Sequence, residues 1–350
     1  MSMRLRILHV IHSDEFAGVE QFVRRLASAQ AADHDVRVVG GDPALMSAPL
    51  EVAGVRFRPS GSLARLTSTV RVTASHVDVI NTHMTAADVA TVVATVAHRS
   101  APALVATRHF SQRRGSTGPD AIYRLVERRL DAEIAISRAV AESIAVRSTV
   151  IHPGVDPSAP TPESDRRPVV LMAQRLQPEK HSEVGVRAFA RSGLADAGWA
   201  LEIAGVGEER TRLERVAREL GIAEHVHLLG FRSDVGDLMR RSGILLATSP
   251  FEHFGLTVLE AMAAGLPVVA TAAGGHVEML GGMHGHGLFP PDDAGAAAAL
   301  LLRLGMDAEA RATLGAAQRT RQVADFTLRS QVAATDAVYR RAIEKRMIRR

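Results

Sequence analysis

Short apolar runs alternate with longer amphipathic stretches along most of the chain. The runs predict buried strands because nearly every position in them is apolar, whereas the stretches between them repeat apolar residues at helical spacing. The strands predicted in the first half are RILHVI (6–11), DVRVVG (35–40), DVINTH (78–83), ALVATRH (103–109) and AEIAIS (132–137). Continuous apolar strands separated by helices, here at 19–30 and 87–99, are typical of parallel sheets covered on both faces.

The segment PSAPTPESDRRP (157–168) interrupts this alternation, and its proline, serine and charge predict a linker. A second series of strands follows at 168–174, 200–205, 225–230, 243–249 and 266–272. We therefore predict an α/β protein with two Rossmann-like, doubly wound domains that face each other across a cleft. The predicted parts are a first domain 1–156, a linker 157–167, a second domain 168–325 and a C-terminal helix 326–350 that packs back toward the first domain.

Composition and charge exclude several classes of function. Lys and Arg outnumber Asp and Glu by 42 to 38, a net charge of +4 that is too small to indicate a nucleic-acid partner. The chain has no cysteine, which excludes disulfides and thiolate chemistry and fits a reducing cytoplasm. The start, MSMRLRILHVIHSD, lacks the apolar run and cleavage site of a signal peptide, and no apolar stretch of about 18 residues could span a bilayer. We expect a cytoplasmic location.

Two cations follow the first strand of the predicted second domain. In QRLQPEK (174–180), Arg175 ends the strand, and Lys180 follows a proline-containing turn just before a helix. A diphosphate needs such charges, because arginine offers forked hydrogen bonds and lysine a compact positive charge. A pair of solvated surface cations fits the same pattern. The carboxyl end of a strand is where ligands bind in doubly wound folds.

The segment SPFEHFGLTVLEAMAAG (249–265) places two carboxylates around the most apolar helix of the chain. The helix is predicted to begin near Leu256, where the Gly255 and Leu256 amides suit a phosphate. Since LTVLEAMAA has no polar face, we expect Glu260 to be buried and to need donors: sugar hydroxyls or a neighbouring loop. Glu252 would face the same ligand. The residues between them, His253 and Phe254, are either walls of this site or loop fillers.

The first domain offers a loop glycine and strand-end histidines. Gly18, in FAGVEQF (16–22), allows close approach of a ligand to the start of the first helix, although a plain turn explains it too. His83 and His109 end neighbouring predicted strands and could share one site. Structural roles are favoured for three further pairs: His9 and His12 in the core or rim, Gly205 and Gly207 in a tight turn rather than in direct phosphate contact, and His284 and His286 in a glycine-rich loop rather than a zinc site.

These residues, in this order, resemble glycosyltransferase family 4 over nearly the whole chain. The resemblance rests above all on SPFEHFGLTVLEAMAAGLPVVATAAGGHVE (249–278), with further matches in AGVE, AISRAVAESI, VIHPGVD, QRLQPEKH, GVGEERTRLE and VHLLGFRSDV. It implies the two-domain GT-B fold, with the acceptor in domain 1–156 and a nucleoside diphosphate sugar in domain 168–325. Ala17, Gln174 and His181 depart from the pattern, because glycine is common at all three positions.

The resemblance also implies a role for each matching residue. Arg175 and Lys180 would hold the diphosphate, Glu260 the ribose hydroxyls and Glu252 the hydroxyls of the transferred sugar. Gly18 and the Gly255 and Leu256 amides would contact the diphosphate, with Phe254 beside them, and Glu278 would lie near the base or ribose. His109 would line the reaction centre. The catalytic set is then Arg175, Lys180, His109 and Glu252, with no metal and no cofactor beyond the nucleotide sugar.

The implied reaction is retaining transfer of a hexose-type sugar to an acceptor hydroxyl. Two alternatives are a nucleotide-sugar epimerase of the same fold and an inactive, binding-only relative. The acceptor is not legible from the sequence. Basic stretches of the first domain could attract an anionic acceptor or an anionic membrane surface at its inner face, or could simply be solvated loops. They contain Arg56, Arg58, Arg65, Arg71, Arg108, Arg113 and Arg114. In the C-terminal helix, Tyr339, Ile343 and Met347 are expected to face the body of the protein.

Overall fold

The computed structural model describes residues 3–13, 17–98, 101–112, 120–144, 146–283 and 285–348. The chain divides into two compact units. The first unit comprises Met1–Gly154 and Leu328–Arg350, and the second comprises Val155–Thr327. Each unit is built on its own parallel sheet, so the predicted pair of doubly wound α/β domains is confirmed.

The first unit contains a seven-stranded sheet with the order β3-β2-β1-β4-β5-β6-β7. The strands are β1 Arg6–Ile11, β2 Asp35–Val39, β3 Arg56–Arg58, β4 Val79–His83, β5 Ala103–Arg108, β6 Ala132–Ala135 and β7 Thr149–Val150. The helices before the second unit are α1 Gly18–Gln30, α2 Pro43–Val52, α3 Leu63–Thr73, α4 Thr85–Thr95, α5 Asp120–Arg129 and α6 Arg138–Ile144. Every pair of neighbouring strands is parallel.

Burial explains why these segments form strands and helices. Strand β1 is buried from its second residue to its last, because helices cover both faces of the sheet. Helix α1 buries Val19, Phe22, Val23 and Leu26, which the helical period brings to one side. The two edge strands, β3 and β7, have only three and two residues and carry no apolar run that the sequence pattern could reveal.

The second unit repeats this plan with a six-stranded parallel sheet in the order β10-β9-β8-β11-β12-β13. Its strands are β8 Arg167–Ala173, β9 Ala200–Ala204, β10 Val226–Gly230, β11 Ser242–Ala247, β12 Val268–Thr271 and β13 Leu288–Phe289. Its helices are α7 Ser182–Ser192, α8 Arg210–Glu219, α9 Val235–Arg241, α10 Leu256–Ala263, α11 Gly274–Leu280, α12 Ala294–Met306 and α13 Ala308–Asp325. In both sheets the order in which successive strands are added reverses at the centre, between β1 and β4 and between β8 and β11.

The segment predicted as a linker, 157–167, belongs to the second unit. The Arg166 guanidinium ties the segment to this unit, because it donates to the backbone carbonyls of Met239, Ser242 and Ala264. Arg319 also donates to the carbonyl of Ser158 at 2.8 Å. Proline and charge in this stretch therefore mark a tethered segment rather than a free connection.

The chain ends in α14, Leu328–Ile348, which lies in the first unit and contacts α1 and β5. Its packing face is not the one predicted. Tyr339 is fully buried, but Ile343 is half-buried and Met347 is 68% exposed. The buried stripe combines polar and apolar residues, which hides it from a hydrophobic pattern: Gln331, Thr335, Val338, Tyr339 and Ala342. In the described parts of the chain, no helix has the length and apolar content needed to cross a bilayer.

Candidate active site

The centre of the second sheet brings two loops together at its carboxyl edge. Strands β8 and β11 are neighbours, yet they are connected to helices on opposite sides, which opens a crevice at their ends. The loop after β8 carries residues 174–181, and the loop after β11 carries residues 248–255. Most of the residues predicted to bind a donor lie in these two loops.

Lys180 and Glu252 form an ion pair at this point. Lys180 Nζ donates to Glu252 Oε2 at 2.8 Å, and the two side chains are 20% and 17% exposed. Burial acts to raise the pKa of the Glu252 carboxyl, but the Lys180 ammonium and the nearby imidazoles together hold that pKa below its usual value. The site therefore contains a paired charge of each sign, both within reach of solvent.

Gln174 holds the loop that carries Lys180. Its amide nitrogen lies within hydrogen-bond distance of the Lys180 carbonyl, Ser182 Oγ and Thr248 Oγ1, at 3.3, 2.8 and 3.2 Å. Thr248 Oγ1 also donates to the Lys180 carbonyl at 2.8 Å. Glutamine at this position thus ties the end of β8 to the end of β11, a role that glycine cannot fill.

Arg175 does not join the ion pair. Its side chain is 56% exposed and binds Glu179 at 3.0 Å, four residues along the same loop. Gly205 and Gly207 lie against this loop, since a Cβ at either position would come within 2.2 Å of the carbonyl of Gln174 or Leu176. These glycines support the loop by close backbone packing, in agreement with their interpretation as a tight turn.

His181 adopts the left-handed backbone conformation, with φ +47° and ψ +43°. This conformation costs a non-glycine residue about 1–2 kcal/mol, which explains why glycine is common at this position in the family pattern. The imidazole lies 2.6 Å from Asp292 Oδ1. That contact offsets part of the backbone cost and keeps the turn before α7 in place.

Helix α10 begins at Leu256, as predicted, but it is less buried than predicted. Gly255 caps it with φ +99°, and a Cβ there would meet the His276 ring at 2.9 Å. The expectation that Glu260 is buried is wrong: Leu256, Thr257 and Glu260 form one half-buried stripe along the helix. The helical period explains the difference, because residues separated by three and four positions share a face even when one of them is polar.

Phe254 is part of the core. Its side chain is 1% exposed, and its ring lies 6.1 Å from the ring of Phe326. The ring thus has no exposed area to offer a ligand, so the predicted contact with a donor stays a prediction for the Phe254 backbone. The ring anchors the loop between Glu252 and Gly255 instead.

A glycine turn and a histidine complete this edge, and no role was predicted for the histidine from the sequence. Gly274 and Gly275 pack against the 252–254 backbone, and Gly275 N donates to the Glu252 carbonyl at 3.0 Å. His276 is 1% exposed, and burial lowers its pKa although Glu252 acts to raise it. The sequence feature that could have revealed this histidine is the GGH triplet in TAAGGHVE. Glu278 follows the triplet and is half-buried on α11.

In the first unit, the two strand-end histidines do lie at the ends of neighbouring strands, β4 and β5. His83 Nδ1 lies 3.0 Å from His109 Nε2, and both rings are buried. His9 belongs to the core, one of the two positions proposed for it. Gly18 is the exposed first residue of α1. The buried Glu20 side chain accepts a hydrogen bond from Ala17 N at 2.8 Å, so the acid of AGVE caps its own helix.

The remaining predicted features lie away from this site or outside the described residues. No group of three metal-ligating side chains occurs among the residues that the structure describes. His286 accepts from Leu288 N, and His284 lies outside those residues, as do Arg113 and Arg114. Arg108 is buried beside Glu133, whereas Arg58, Arg65 and Arg71 are exposed and Arg56 pairs with Asp35.

Two family models match adjacent parts of the chain. "Glycosyltransferase Family 4" matches residues 16–159, and "Glycosyl transferases group 1" matches residues 158–321. The chain belongs to glycosyltransferase family 4. Its relatives include the glycogen synthase of Mycobacterium tuberculosis, 34% identical over 55% of this chain and 48% of that protein. Another is the lipopolysaccharide core biosynthesis mannosyltransferase LpsB of Rhizobium meliloti, 31% identical over 61% of this chain and 66% of that protein.

The chain thus spans about half the length of the first of these relatives. Among solved structures, Anabaena HepE in complex with UDP and glucose superposes with a TM-score of 0.79, at 23% identity, over 95% of this chain and 99% of that one. This similarity shows that the two proteins share the GT-B fold.

Proposed function

We propose that this family 4 protein is a glycosyltransferase that moves a hexose-type sugar from a nucleoside diphosphate to an acceptor hydroxyl, with retention of configuration. The observation that carries the proposal is the Lys180–Glu252 ion pair at the centre of the second sheet. A cation and a carboxylate at that edge match the two parts of such a donor, an anionic diphosphate and a sugar rich in hydroxyl donors.

In the ligand-free protein each partner neutralises the other. When the donor binds, its diphosphate replaces Glu252 as the ion-pair partner of the Lys180 ammonium, and the sugar hydroxyls donate hydrogen bonds to Glu252. The amides at the start of α10 add positive potential, and Glu260 lies on the half-buried stripe of the same helix, where ribose hydroxyls can reach it. Arg175 is 56% exposed, so its surface pair with Glu179 can exchange for a phosphate at little cost.

The chemical step breaks the bond between the sugar and the diphosphate. Negative charge grows on the departing phosphate while the sugar becomes oxocarbenium-like, and Lys180 and the α10 amides stabilise that charge. The acceptor hydroxyl attacks from the face that the phosphate leaves, and the phosphate takes its proton. Lys180 and these amides stabilise the charge that a metal ion would otherwise neutralise, so we expect turnover to be insensitive to EDTA.

The relatives support transfer chemistry. A glycogen synthase and a mannosyltransferase share more than 30% identity with this chain, and HepE was solved with UDP and glucose. Because the names of these relatives differ, experiment must identify the base and sugar of the donor and the acceptor of this protein. An epimerase would interconvert nucleotide sugars without releasing nucleoside diphosphate, and a binding-only relative would do neither.

A panel of nucleotide sugars, with and without candidate acceptors, tests the proposal. We expect at least one donor to yield nucleoside diphosphate, faster with an acceptor. Lys180→Ala should reduce kcat about 10²–10³-fold, because the lost cation acts on charge that develops in the transition state. Wild-type rates in this variant would refute the role of Lys180, and interconversion without release would indicate the epimerase.

Lysine chemistry gives a readout that does not depend on turnover. The chain has two lysines, Lys180 and Lys345. Acetylation mapped by mass spectrometry should be slowed by nucleoside diphosphate at Lys180 and unchanged at Lys345, which lies on α14 and contacts the Asp131 carbonyl. Lys345→Ala is the matched control for activity. Equal protection of both lysines, or of neither, would contradict the proposed donor site.

A further inference from the structure

Three imidazoles on neighbouring strands of the first sheet hydrogen-bond in series. His9 Nδ1 lies 3.1 Å from His83 Nε2, and His83 Nδ1 lies 3.0 Å from His109 Nε2. His9 belongs to β1, His83 ends β4 and His109 follows β5, and their exposures are 0%, 0% and 6%. We call these three residues the histidine series.

The series continues from His9 to a carboxylate on the C-terminal helix. His9 Nε2 lies 2.9 Å from Gln30 Oε1, and Gln30 Nε2 donates to Asp336 Oδ1 at 2.8 Å. The other oxygen, Asp336 Oδ2, lies 2.8 Å from His34 Nε2. Because Leu5 N donates to His34 Nδ1 at 3.2 Å, His34 carries its proton on Nε2 and donates it to Asp336.

The Asp336 carboxylate determines which partner donates in every hydrogen bond of the series. An ionised carboxylate only accepts, so Gln30 must turn its amide nitrogen toward Asp336 and its carbonyl toward His9. His9 must then carry a proton on Nε2. Burial lowers the pKa of His9 to about 4, so the ring is neutral at pH 7 and its Nδ1 is an acceptor.

The same assignment of donor and acceptor nitrogens follows for the next two rings, His83 and His109. His83 must donate from Nε2 to His9 Nδ1. Burial also lowers the pKa of His83 well below its usual value, so the ring is neutral and its Nδ1 is unprotonated. His109 must therefore donate from Nε2. The Phe22 ring, whose centroid lies 4.7 Å from that of His109 with the two planes at 85°, helps to hold the plane of that imidazole.

We propose that Asp336, Gln30, His9 and His83 are positioning residues that hold His109 as its Nε2–H tautomer. Nδ1 of His109 is then the nitrogen that accepts a hydrogen bond or a proton, as a sugar or acceptor hydroxyl requires. The use of this tautomer in sugar transfer rests on the proposed function, in which His109 lines the reaction centre, whereas the tautomer itself does not.

Asp336→Asn gives a sharp test because it changes one atom at the far end of the series. The asparagine oxygen can still accept from His34, while its amide now donates to Gln30 Oε1. Gln30 then turns its own amide nitrogen toward His9, and each imidazole in turn exchanges donor for acceptor. We expect His9, His83 and His109 to switch together from Nε2–H to Nδ1–H.

The readout is the ring nitrogen spectrum of the full-length protein labelled with ¹⁵N-histidine, assigned by single histidine substitutions. The wild type should show Nε2–H for the whole series and Asp336→Asn should show Nδ1–H. Asp78→Asn, the same exchange in an ion pair with Arg6, should leave the wild-type pattern. Gln30→Leu disconnects Asp336 from His9 and should give both tautomers of His109.

A cationic or Nδ1–H His109 in the wild type at pH 7 would overturn the proposal, as would an unchanged tautomer in both Asp336→Asn and Gln30→Leu. In steady-state assays Asp336→Asn should lower kcat about 10–100-fold with little change in donor KM. Inversion of the tautomer without a change in kcat would overturn the positioning role. If the wild type turns over no nucleotide sugar, the proposed function fails, and the spectra still decide the tautomer.

Discussion

At the scale of single residues, partners decide what each charged or titratable group can do. Lys180 and Glu252 are 72 positions apart in the sequence, yet each neutralises the other's charge. His181 tolerates a left-handed turn because Asp292 binds its ring. His9 and His83 look like core residues by burial, yet their ring nitrogens connect a carboxylate to His109. Exposure alone distinguishes none of these roles.

The burial of His9 predicts a loss of stability in acid. Its pKa is about 4 in the folded state and about 6.5 in the unfolded state, so the unfolded chain binds the proton first as the pH falls. Between pH 7 and pH 5 this group should lower the free energy of unfolding of the first unit by about 2 kcal/mol.

Urea unfolding at several pH values, followed by hydrogen exchange of the β1 and β4 amides, measures this loss. His9→Gln is the control: it should be less stable at pH 7 but show a flatter pH dependence, because glutamine does not titrate. Equal slopes for the wild type and the variant would mean that His9 is not the titrating group.

At the scale of elements, glycines decide how closely loops approach one another at the carboxyl edge of the second sheet. Gly205 and Gly207 lie against the loop after β8, and Gly274 and Gly275 lie against the loop after β11. At each of these positions the absence of a side chain lets the two backbones come into direct contact. The loops that carry Lys180 and Glu252 are therefore supported from outside by turns that have no chemistry of their own.

Gly275→Ala should disturb the Glu252 loop. The added Cβ would lie 2.2 Å from the Phe254 carbonyl, and such overpacking costs about 1–3 kcal/mol. We expect a lower free energy of unfolding for the second unit and weaker protection of Lys180 by nucleoside diphosphate.

Gly236→Ala is the matched control, because its Cβ would meet only the end of the Arg240 side chain, at 3.7 Å in α9. Alanine is the better helix former by about 1 kcal/mol, so this variant should be slightly more stable and fully protected at Lys180. Comparable losses in both variants would mean that the close contact at Gly275 is not what holds the Glu252 loop.

At the scale of the whole molecule, the two units differ in how the chain builds them. The second unit is one continuous segment, Val155–Thr327, whereas the first needs α14 from the far end of the chain. Asn81 Nδ2 donates to the hydroxyl of the fully buried Tyr339, and Gln331 accepts from Gly154 N. Removing α14 would leave such groups without partners inside the first unit.

We predict that the fragment Val155–Thr327 folds alone and that nucleoside diphosphate protects Lys180 in it as in the full chain. In contrast, a chain that stops after Thr327 should lose at least about 4 kcal/mol of stability in its first unit, from the missing Tyr339 and the unpaired polar groups. Hydrogen exchange with mass spectrometry resolves the two units. A stable first unit without α14, or an unfolded second fragment, would contradict this division.

Periodicity and composition alone determined the alternating strands and helices, the two parallel sheets and the loops in which Lys180, Glu252 and the start of α10 lie. These features are local, because a buried parallel strand is apolar at every position and a helix start needs its cap within a few residues. The sequence pattern did not predict the short edge strands β3, β7 and β13, because two or three residues are too few to show a period.

Only the tertiary structure decided which polar groups meet. The partner of Glu252 is 72 positions away, Phe254 is turned into the core by a ring that lies beyond α13, and the direction of the histidine series is set by Asp336, 306 positions from Gln30. No period in the sequence encodes such pairs. Their geometry follows from the order of strands in each sheet and from the place where the last helix packs.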